Sequence, residues 1–234
     1  MPVYQLPEDL IFPLPEEAMP DGLLAVGGDL SVQRLLLAYS MGIFPWYSEG
    51  DPILWWSPDP RLVMDLSGLK VSKSLKRVIK KETFKVTMDK DFNSVINQCS
   101  AAERRGDEGT WIVGDMIAAY NTLHMAGFAH SVETWEDGKL AGGLYGVSIG
   151  RAFFGESMFS EKSDASKVAM VYLVSALKSW GSDFIDCQVT TSHLVRLGAH
   201  EIPRSEFLRR LSKVLKSKSR CGKWELPEDL ELLI

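Results

Sequence analysis

The spacing of apolar positions changes character near residue 128. Before it, apolar residues recur at helical spacing between turn-rich stretches. After it come three short strand-like runs, FAHSVETW, LAGGLYGV and RAFFGES, separated by the hairpin turns EDGK and SIG. Helical and strand patterns then alternate to the C-terminus. The predicted order from residue 128 onward is therefore β-β-β-α-β-α-β-α.

Residues 1 to 61 are rich in Pro, Gly and Trp. A helix should begin after Asp29 or Ser31 and end at Gly42. The string GIFPWYSEGDPILWWSPDPR that follows favours extended or turning backbone, because proline disrupts a helix interior. We predict a small loop-rich N-terminal domain over 1–61 and a second domain over 62–234.

The second domain has the pattern of a known fold. A meander, a long helix and a strand that splays from its neighbour resemble the second half of the GCN5-related acyltransferase fold. The fold class expected is α+β, with a mixed, largely antiparallel sheet flanked by helices. Members that use coenzyme A hold its pyrophosphate in a glycine-rich turn before the long helix. The corresponding string GESMFSEKSDASK lacks those glycines, so we expect a different acyl carrier.

Composition narrows the setting. The N-terminus has no basic, apolar leader pattern, and no apolar run is long enough to span a membrane. The cysteines, Cys99, Cys187 and Cys221, are widely spaced and predict no disulfide framework or thiolate zinc site. The four histidines lack metal-ligand spacing. We expect a cytoplasmic protein without a metal or other cofactor.

One stretch carries a strong local charge although the net charge is −5. Residues 70–85 hold seven cations and one acid, Glu82. Ser72 can cap a helix here, with Leu75, Val78 and Ile79 on its apolar face. A solvated helix face is one interpretation, and a site for RNA phosphates is the other.

The string IDCQ at 185–188 follows a strand-like run and allows two chemistries. Cys187 could act as a nucleophile with His130 or His193. Strand alternation would instead place Asp186 and Gln188 on one face, away from Cys187, with Glu156 on a neighbouring strand. The same pattern also fits a satisfied polar network without catalysis.

Many strings along the chain resemble one family when taken in order. They are PDGLLAVGGDLS, GIFPWY, PILWWSPDPR, TWI, AHSVE, GGLYGV, GESMFS, ASK, IDCQ, HL, LGA and EIPR. Together they resemble the bacterial leucyl/phenylalanyl-tRNA–protein transferases from about residue 10 to about residue 208. The C-terminal string CGKWELPEDLELLI carries no recognisable signature. The loop AAERRGDEG is longer than the family pattern suggests.

The resemblance implies a reaction and its partners. Leucine or phenylalanine, and methionine less well, is moved from aminoacyl-tRNA to the N-terminal Arg or Lys of a protein, which marks that protein for degradation. Neither ATP nor a metal is needed. Two alternatives remain, a Cys187-dependent hydrolase and a non-catalytic tRNA-binding module.

The resemblance also implies residue roles. Asp186, Gln188 and Glu156 form the catalytic centre: Gln188 aims the incoming amine, Asp186 orients Gln188 or stabilises the ammonium, and Glu156 holds the α-amino group of the transferred residue. Ser160 lies near the ester with Glu156. The terminal adenosine and the aminoacyl side chain are held by Trp46, Trp111, Leu144, Phe153, Met158, Leu173 and Ile185. The tRNA acceptor arm contacts Lys73, Lys76, Arg77, Lys80 and Lys81.

Overall fold

The computed structural model describes residues 3–102 and 112–234. Trp111 and most of the loop AAERRGDEG lie outside the described residues, so their predicted roles stay predictions. No helix in the described ranges is long and apolar enough to cross a membrane.

A four-stranded sheet forms the N-terminal part, in the order β1-β2-β4-β3. Its strands are β1 Tyr4–Leu6, β2 Leu23–Gly27, β3 Phe44–Pro45 and β4 Leu54–Trp56. All are short, which agrees with the many prolines and turns in this part of the sequence. Helix α1, Val32–Ser40, crosses between β2 and β3, and the Ser31 side chain caps its N-terminus as predicted.

A seven-stranded mixed sheet forms the rest, in the order β11-β5-β10-β9-β8-β7-β6. Its strands are β5 Arg61–Asp65, β6 Lys85–Met88, β7 Ala129–Glu136, β8 Lys139–Ile149, β9 Ala152–Ser160, β10 Phe184–Gln188 and β11 His200–Ile202. Among the described strands of this sheet, only the β9–β10 pairing is parallel. The predicted α+β class, with a largely antiparallel sheet, is confirmed.

Helices cover both faces of the large sheet. They are α2 Lys73–Lys80, α3 Phe92–Ala101, α4 Gly114–Met125, α5 Ala165–Ser179, α6 Ser192–Leu197 and α7 Arg204–Val214, with short 3-10 turns at Pro15–Glu17 and Leu66–Gly68. The element order from residue 128 matches the prediction. Strands β5 and β6 were not predicted, because the first follows a proline-rich run and the second begins at the last residue of the cationic stretch.

Strand alternation divides the core between the two faces. Leu144 and Phe153 belong to the hydrophobic cluster that includes α5, while their chain neighbours Tyr145 and Phe154 belong to a larger cluster on the other face. That larger cluster continues into the N-terminal part of the protein through Tyr39 of α1 and Trp55 of β4. The division at residue 61/62 stays a prediction.

Candidate active site

The site lies where the parallel strands β9 and β10 separate. Their ladder runs from Phe184–Ala152 to Asp186–Phe154, and both strands continue beyond it. Just past this point each strand contains a bulge. Glu156 is the extra residue of β9 opposite β8, and Cys187 is the extra residue of β10 opposite β5. The bulges re-aim polar side chains from both strands into one gap.

Glu156 is the most highly connected polar group there. Its Oε1 accepts hydrogen bonds from the Tyr39 hydroxyl and from Gln188 Nε2, both at 2.7 Å. Its Oε2 accepts one from the Tyr120 hydroxyl at 3.1 Å. Both tyrosines are fully buried and also contact each other through their hydroxyls. Three separate elements, α1, α4 and β10, therefore position one carboxylate.

Burial controls the charge of this carboxylate. Desolvation raises the pKa of Glu156 from 4.5 to about 7, with a smaller contribution from the charge of Asp186, against the lowering effect of its three hydrogen bonds. The pKa values of Tyr39 and Tyr120 are raised well above their ordinary value, mainly by burial, so both remain donors. Glu156 therefore changes its charge near neutral pH.

Gln188 presents its amide at the cavity in an unusual backbone conformation. Its φ of 62° lies in the left-handed region, which a glutamine rarely adopts. Because Nε2 is committed to Glu156, the amide oxygen is the atom that can accept a hydrogen bond from an incoming group. The Gln188 backbone N–H donates to Asp186 Oδ1 at 2.9 Å, which helps hold the bulge.

Asp186 forms a buried ion pair with Arg61. The guanidinium donates from Nε to Oδ1 at 2.8 Å and from Nη2 to Oδ2 at 2.6 Å, and neither side chain is exposed. Arg61 also donates to the Gly42 carbonyl at 3.1 Å and lies over the rings of Phe44 and Phe207. Both oxygens of the Asp186 carboxylate therefore accept hydrogen bonds from Arg61, and Oδ1 also accepts one from the Gln188 N–H.

The predicted separation of Cys187 from Gln188 is wrong. Both residues line the same cavity, while Asp186 is not among its lining residues. Simple alternation fails because the bulge at 186–188 and the positive φ of Gln188 rotate the end of β10. Asp186 and Gln188 are therefore joined through the backbone, and their side chains have different partners.

The cavity has a volume of about 290 Å³ and mostly apolar walls. Its lining includes six of the apolar positions predicted to hold the substrate: Trp46, Leu144, Phe153, Met158, Leu173 and Ile185. Leu173 comes from α5 and the strands β8, β9 and β10 supply four of the others. Mostly apolar walls with a few convergent polar groups, here Glu156 and Gln188, are typical of a small-molecule binding site.

Trp46 stands at the mouth of the cavity. Phe44 and Pro45, which line the cavity next to Trp46, belong to strand β3 of the N-terminal sheet. Trp46 is 38% exposed and packs against Trp56 at 5.6 Å between ring centroids. An exposed indole at a pocket mouth suits stacking on a nucleobase.

Cys187 and His193 both line the cavity, but the Cys187 thiol donates to the Ile185 carbonyl, at 4.0 Å. Burial raises the pKa of the Cys187 thiol well above its ordinary value, and the nearby charge of Asp186 raises it further. A thiol that stays protonated is a poor nucleophile. The partner of the thiol and its raised pKa give no support to the hydrolase alternative.

Ser160 lies outside the cavity lining. Its hydroxyl donates to the Lys162 carbonyl at 2.8 Å and accepts from the Ser166 N–H at 3.2 Å. These bonds join the end of β9 to the start of α5. The predicted contact of Ser160 with the ester stays a prediction.

The cationic helix α2 packs on the outer side of α5. Leu75 and Ile79 of α2 share a cluster with Val168 and Val171 of α5, while Leu173 of α5 faces the cavity. Most of the predicted tRNA-binding cations, Lys73, Lys76, Arg77, Lys80 and Lys81, are exposed, and Lys76 is half-buried. None of the five forms a salt bridge within the described ranges.

Sequence reasoning missed three residues that shape the site. Tyr39 lies within the helix predicted to end at Gly42, Arg61 ends the string PDPR, and neither they nor Tyr120 were assigned a role in the site. Their partners are 117, 125 and 36 residues away along the chain. No local spacing could reveal such contacts. Within 3–102 and 112–234, no group of three or more His, Cys, Asp or Glu is arranged to hold a metal ion.

A mixed sheet with a splayed parallel pair and a cavity at the splay is the arrangement predicted from the resemblance to the acyltransferase fold, so the fold class is acyltransferase-like. The model of the family "Leucyl/phenylalanyl-tRNA protein transferase" matches residues 63–212, and the model of its N-terminal domain matches residues 28–59. The chain therefore belongs to the leucyl/phenylalanyl-tRNA–protein transferase family, whose members are aminoacyltransferases.

Similar curated proteins cover almost the whole chain. A leucyl/phenylalanyl-tRNA–protein transferase of Anaeromyxobacter sp. (strain Fw109-5) is 58% identical over 97% of this chain and 96% of its own length. One of Nitratidesulfovibrio vulgaris (strain DP4) is 56% identical over 98% of each chain. Among solved structures, L-PGS from Bacillus licheniformis is 10% identical, with a TM-score of 0.38 over 67% of this chain and 50% of its own. A similarity that low says nothing about activity.

Proposed function

We propose that this protein transfers leucine or phenylalanine, and methionine less well, from aminoacyl-tRNA to the N-terminal Arg or Lys of acceptor proteins. The acceptor's neutral α-amine attacks the ester carbonyl, a C–N bond forms, the C–O bond to the tRNA ribose breaks, and the ribose oxygen leaves as a hydroxyl by taking up the proton that the amine loses. The product carries a new N-terminal residue that marks it for degradation in the cytoplasm. Family membership supports the reaction. The observation that supports its location in the structure is the apolar cavity beside Glu156 and Gln188.

The cavity walls support the choice of amino acid. Leu144, Phe153, Met158, Leu173 and Ile185 offer no fixed charge to a bound side chain. A polar side chain would lose its hydration there without gaining partners. Apolar side chains of different shape are accepted because a methylene contributes only about 1–3 kcal/mol to discrimination. The terminal adenosine stacks on Trp46 at the mouth.

The Glu156–Gln188 pair positions the incoming amine. When Glu156 is ionised it can only accept, so Gln188 must turn its NH₂ toward the carboxylate and its oxygen toward the cavity. That oxygen accepts a hydrogen bond from the α-amine and aims its lone pair at the ester. An α-amino group has a pKa of about 7.7–8.0, so little base strength is needed. Glu156 also attracts the α-amino group of the transferred residue.

Asp186 acts through the backbone. Its carboxylate is saturated by Arg61 and by the Gln188 N–H. It holds Gln188 in the left-handed conformation that brings the amide to Glu156. We therefore assign Asp186 a positioning role. Arg61 supports that role indirectly, because it holds the Asp186 carboxylate in place.

The cationic helix contacts the tRNA. The exposed Lys73, Arg77 and Lys80 are free of salt bridges to the described residues, so they can neutralise phosphates without breaking internal bonds. Helix α5 lies between them and the cavity. A tRNA acceptor arm on α2 could thus place its 3′ end in the cavity.

One assay tests the proposal. The protein is incubated with labelled Leu-tRNA and a peptide that begins with Arg, with and without ribonuclease. Label should enter the peptide only without ribonuclease. A matched peptide beginning with Glu should stay unlabelled.

The other outcomes identify the alternatives. Binding of tRNA with no labelled peptide would indicate a tRNA-binding module. Loss of activity in Cys187→Ser would indicate thiol catalysis, whereas transfer at the normal rate would exclude it.

A further inference from the structure

The C-terminal segment 221–234 lies beyond the matched residues 63–212 but packs along the back of the cavity. It has no regular secondary structure. Its path is fixed by backbone hydrogen bonds from Gly222 to the Gly127 carbonyl at 3.1 Å, and from Leu233 to Ser175 Oγ at 3.0 Å. Ser175 lies two residues from Leu173, a wall of the cavity. We call residues 221–234 the C-terminal strap.

Trp224 is the centre of the strap. It is 1% exposed, and its backbone N–H donates to Asp89 Oδ2 at 2.7 Å. Its indole stacks on His130 with 3.7 Å between centroids and meets the edge of Trp180 at 4.8 Å. The indole is therefore held by the two rings and by its hydrogen bond to the Arg220 carbonyl, and the backbone is held by Asp89.

Phe153 connects Trp224 to the cavity. The two ring centroids are 5.9 Å apart, and Phe153 itself lines the cavity while being almost fully buried. Trp224 is absent from the cavity lining. Phe153 thus lies between the space for the substrate and the indole. Its position, and with it the depth of the slot, depends on the volume behind it.

We propose that Trp224 is a positioning residue for substrate selectivity: by supporting Phe153 from behind, it limits the depth of the aminoacyl pocket and so sets the preference between leucine and phenylalanine. Three strap leucines, Leu226, Leu230 and Leu233, pack against the same cluster and hold the strap in place. Removing the indole leaves space into which Phe153 can move. The deeper slot then favours the larger phenylalanine side chain.

The test measures a ratio that partial unfolding cannot change. Wild type and Trp224→Leu are given equal mixtures of Leu-tRNA and Phe-tRNA with an Arg-peptide, and the two products are counted. The ratio of kcat/KM for Phe to that for Leu should rise about threefold or more. Trp135→Leu is the matched control, because it removes a half-buried indole from a residue that neither lines the cavity nor packs on the Trp224 ring. Its ratio should stay at the wild-type value.

A wild-type ratio in folded Trp224→Leu would overturn the proposal. If that variant does not fold, Trp224→Phe decides instead, since it keeps a ring against His130 and still reduces the volume behind Phe153. A wild-type ratio in that variant would equally count against it. The inference rests on the proposed function, but different experimental results would overturn each of them. No transfer by wild type overturns the function, whereas transfer with an unchanged ratio overturns only the role of Trp224.

Discussion

Gln188 Nε2 lies 2.7 Å from Glu156 Oε1, and this hydrogen bond joins the two strands at the point where their ladder ends. A β-bulge in each strand, and not regular strand pairing, brings these two side chains together. The bond therefore depends on backbone geometry that Arg61 and Asp186 support from the opposite face.

Removing the Gln188 amide should lower turnover far more than tRNA affinity. In Gln188→Ala the amine loses the acceptor that aims it, and misplaced reactants can lose roughly 100-fold in rate. The tRNA contacts on α2 are unchanged. Single-turnover rates and filter binding measure the two quantities. The exposed Gln98→Ala serves as control. Equal losses of affinity and turnover would contradict the positioning role.

Glu156 should make stability fall as pH rises toward neutrality. Its pKa is raised from 4.5 to about 7 in the folded protein, so the unfolded chain binds fewer protons in this window. The free energy of unfolding should decrease across it by up to roughly 3 kcal/mol. Below pH 4.5 and above pH 7 this contribution is constant.

Urea unfolding of wild type and Glu156→Gln between pH 4 and pH 8 measures that contribution as a difference. The variant should gain on wild type as pH rises. The exposed Glu161→Gln should follow wild type at every pH. A constant difference between wild type and Glu156→Gln would show that Glu156 does not titrate in this range.

Removing one partner of the buried Arg61–Asp186 ion pair should strongly lower the free energy of unfolding. Asp186→Ala leaves the Arg61 guanidinium buried without its partner, and we expect a loss of about 3–5 kcal/mol in the free energy of unfolding. Asp183→Ala removes the partner of Arg151 in an exposed pair and should cost less than about 1 kcal/mol.

The double variant Arg61→Met/Asp186→Leu separates the two effects. It removes both charges, so it should be more stable than Asp186→Ala. It should still lose transfer activity, because the Gln188 N–H has lost its acceptor. Wild-type activity in the double variant would show that the pair does not position Gln188.

Cations on α2 should set the salt dependence of tRNA binding. Arg77→Ala/Lys80→Ala removes two exposed charges, and the slope of log K against log salt should become shallower by about one unit for each. Lys213→Ala/Lys216→Ala removes two exposed lysines from α7 and the residues after it, and should leave the slope unchanged. Equal slopes for both variants would move the tRNA site away from α2.

Local patterns predicted the elements well where packing obeys them. Ser31, Ser72 and Gly42 act at the helix ends where the sequence placed them, and the meander and long helix follow in order. The apolar residues that line the cavity were predicted from the family resemblance and not from local patterns. The sequence did not predict the partners of Glu156 and Asp186, because Tyr39, Tyr120 and Arg61 come from distant segments. Alternation failed at Cys187, because a bulge adds one residue without a local signal.

The cavity mouth belongs to the small sheet, and its remaining walls come from the large sheet and from helices α5 and α6. Trp46 follows β3, which pairs only with β4 among the described strands. Partial opening of these short strands would displace the indole while leaving Glu156 and Gln188 in place. Catalytic efficiency should accordingly follow the local stability of residues 44–56 more closely than the global stability of the protein.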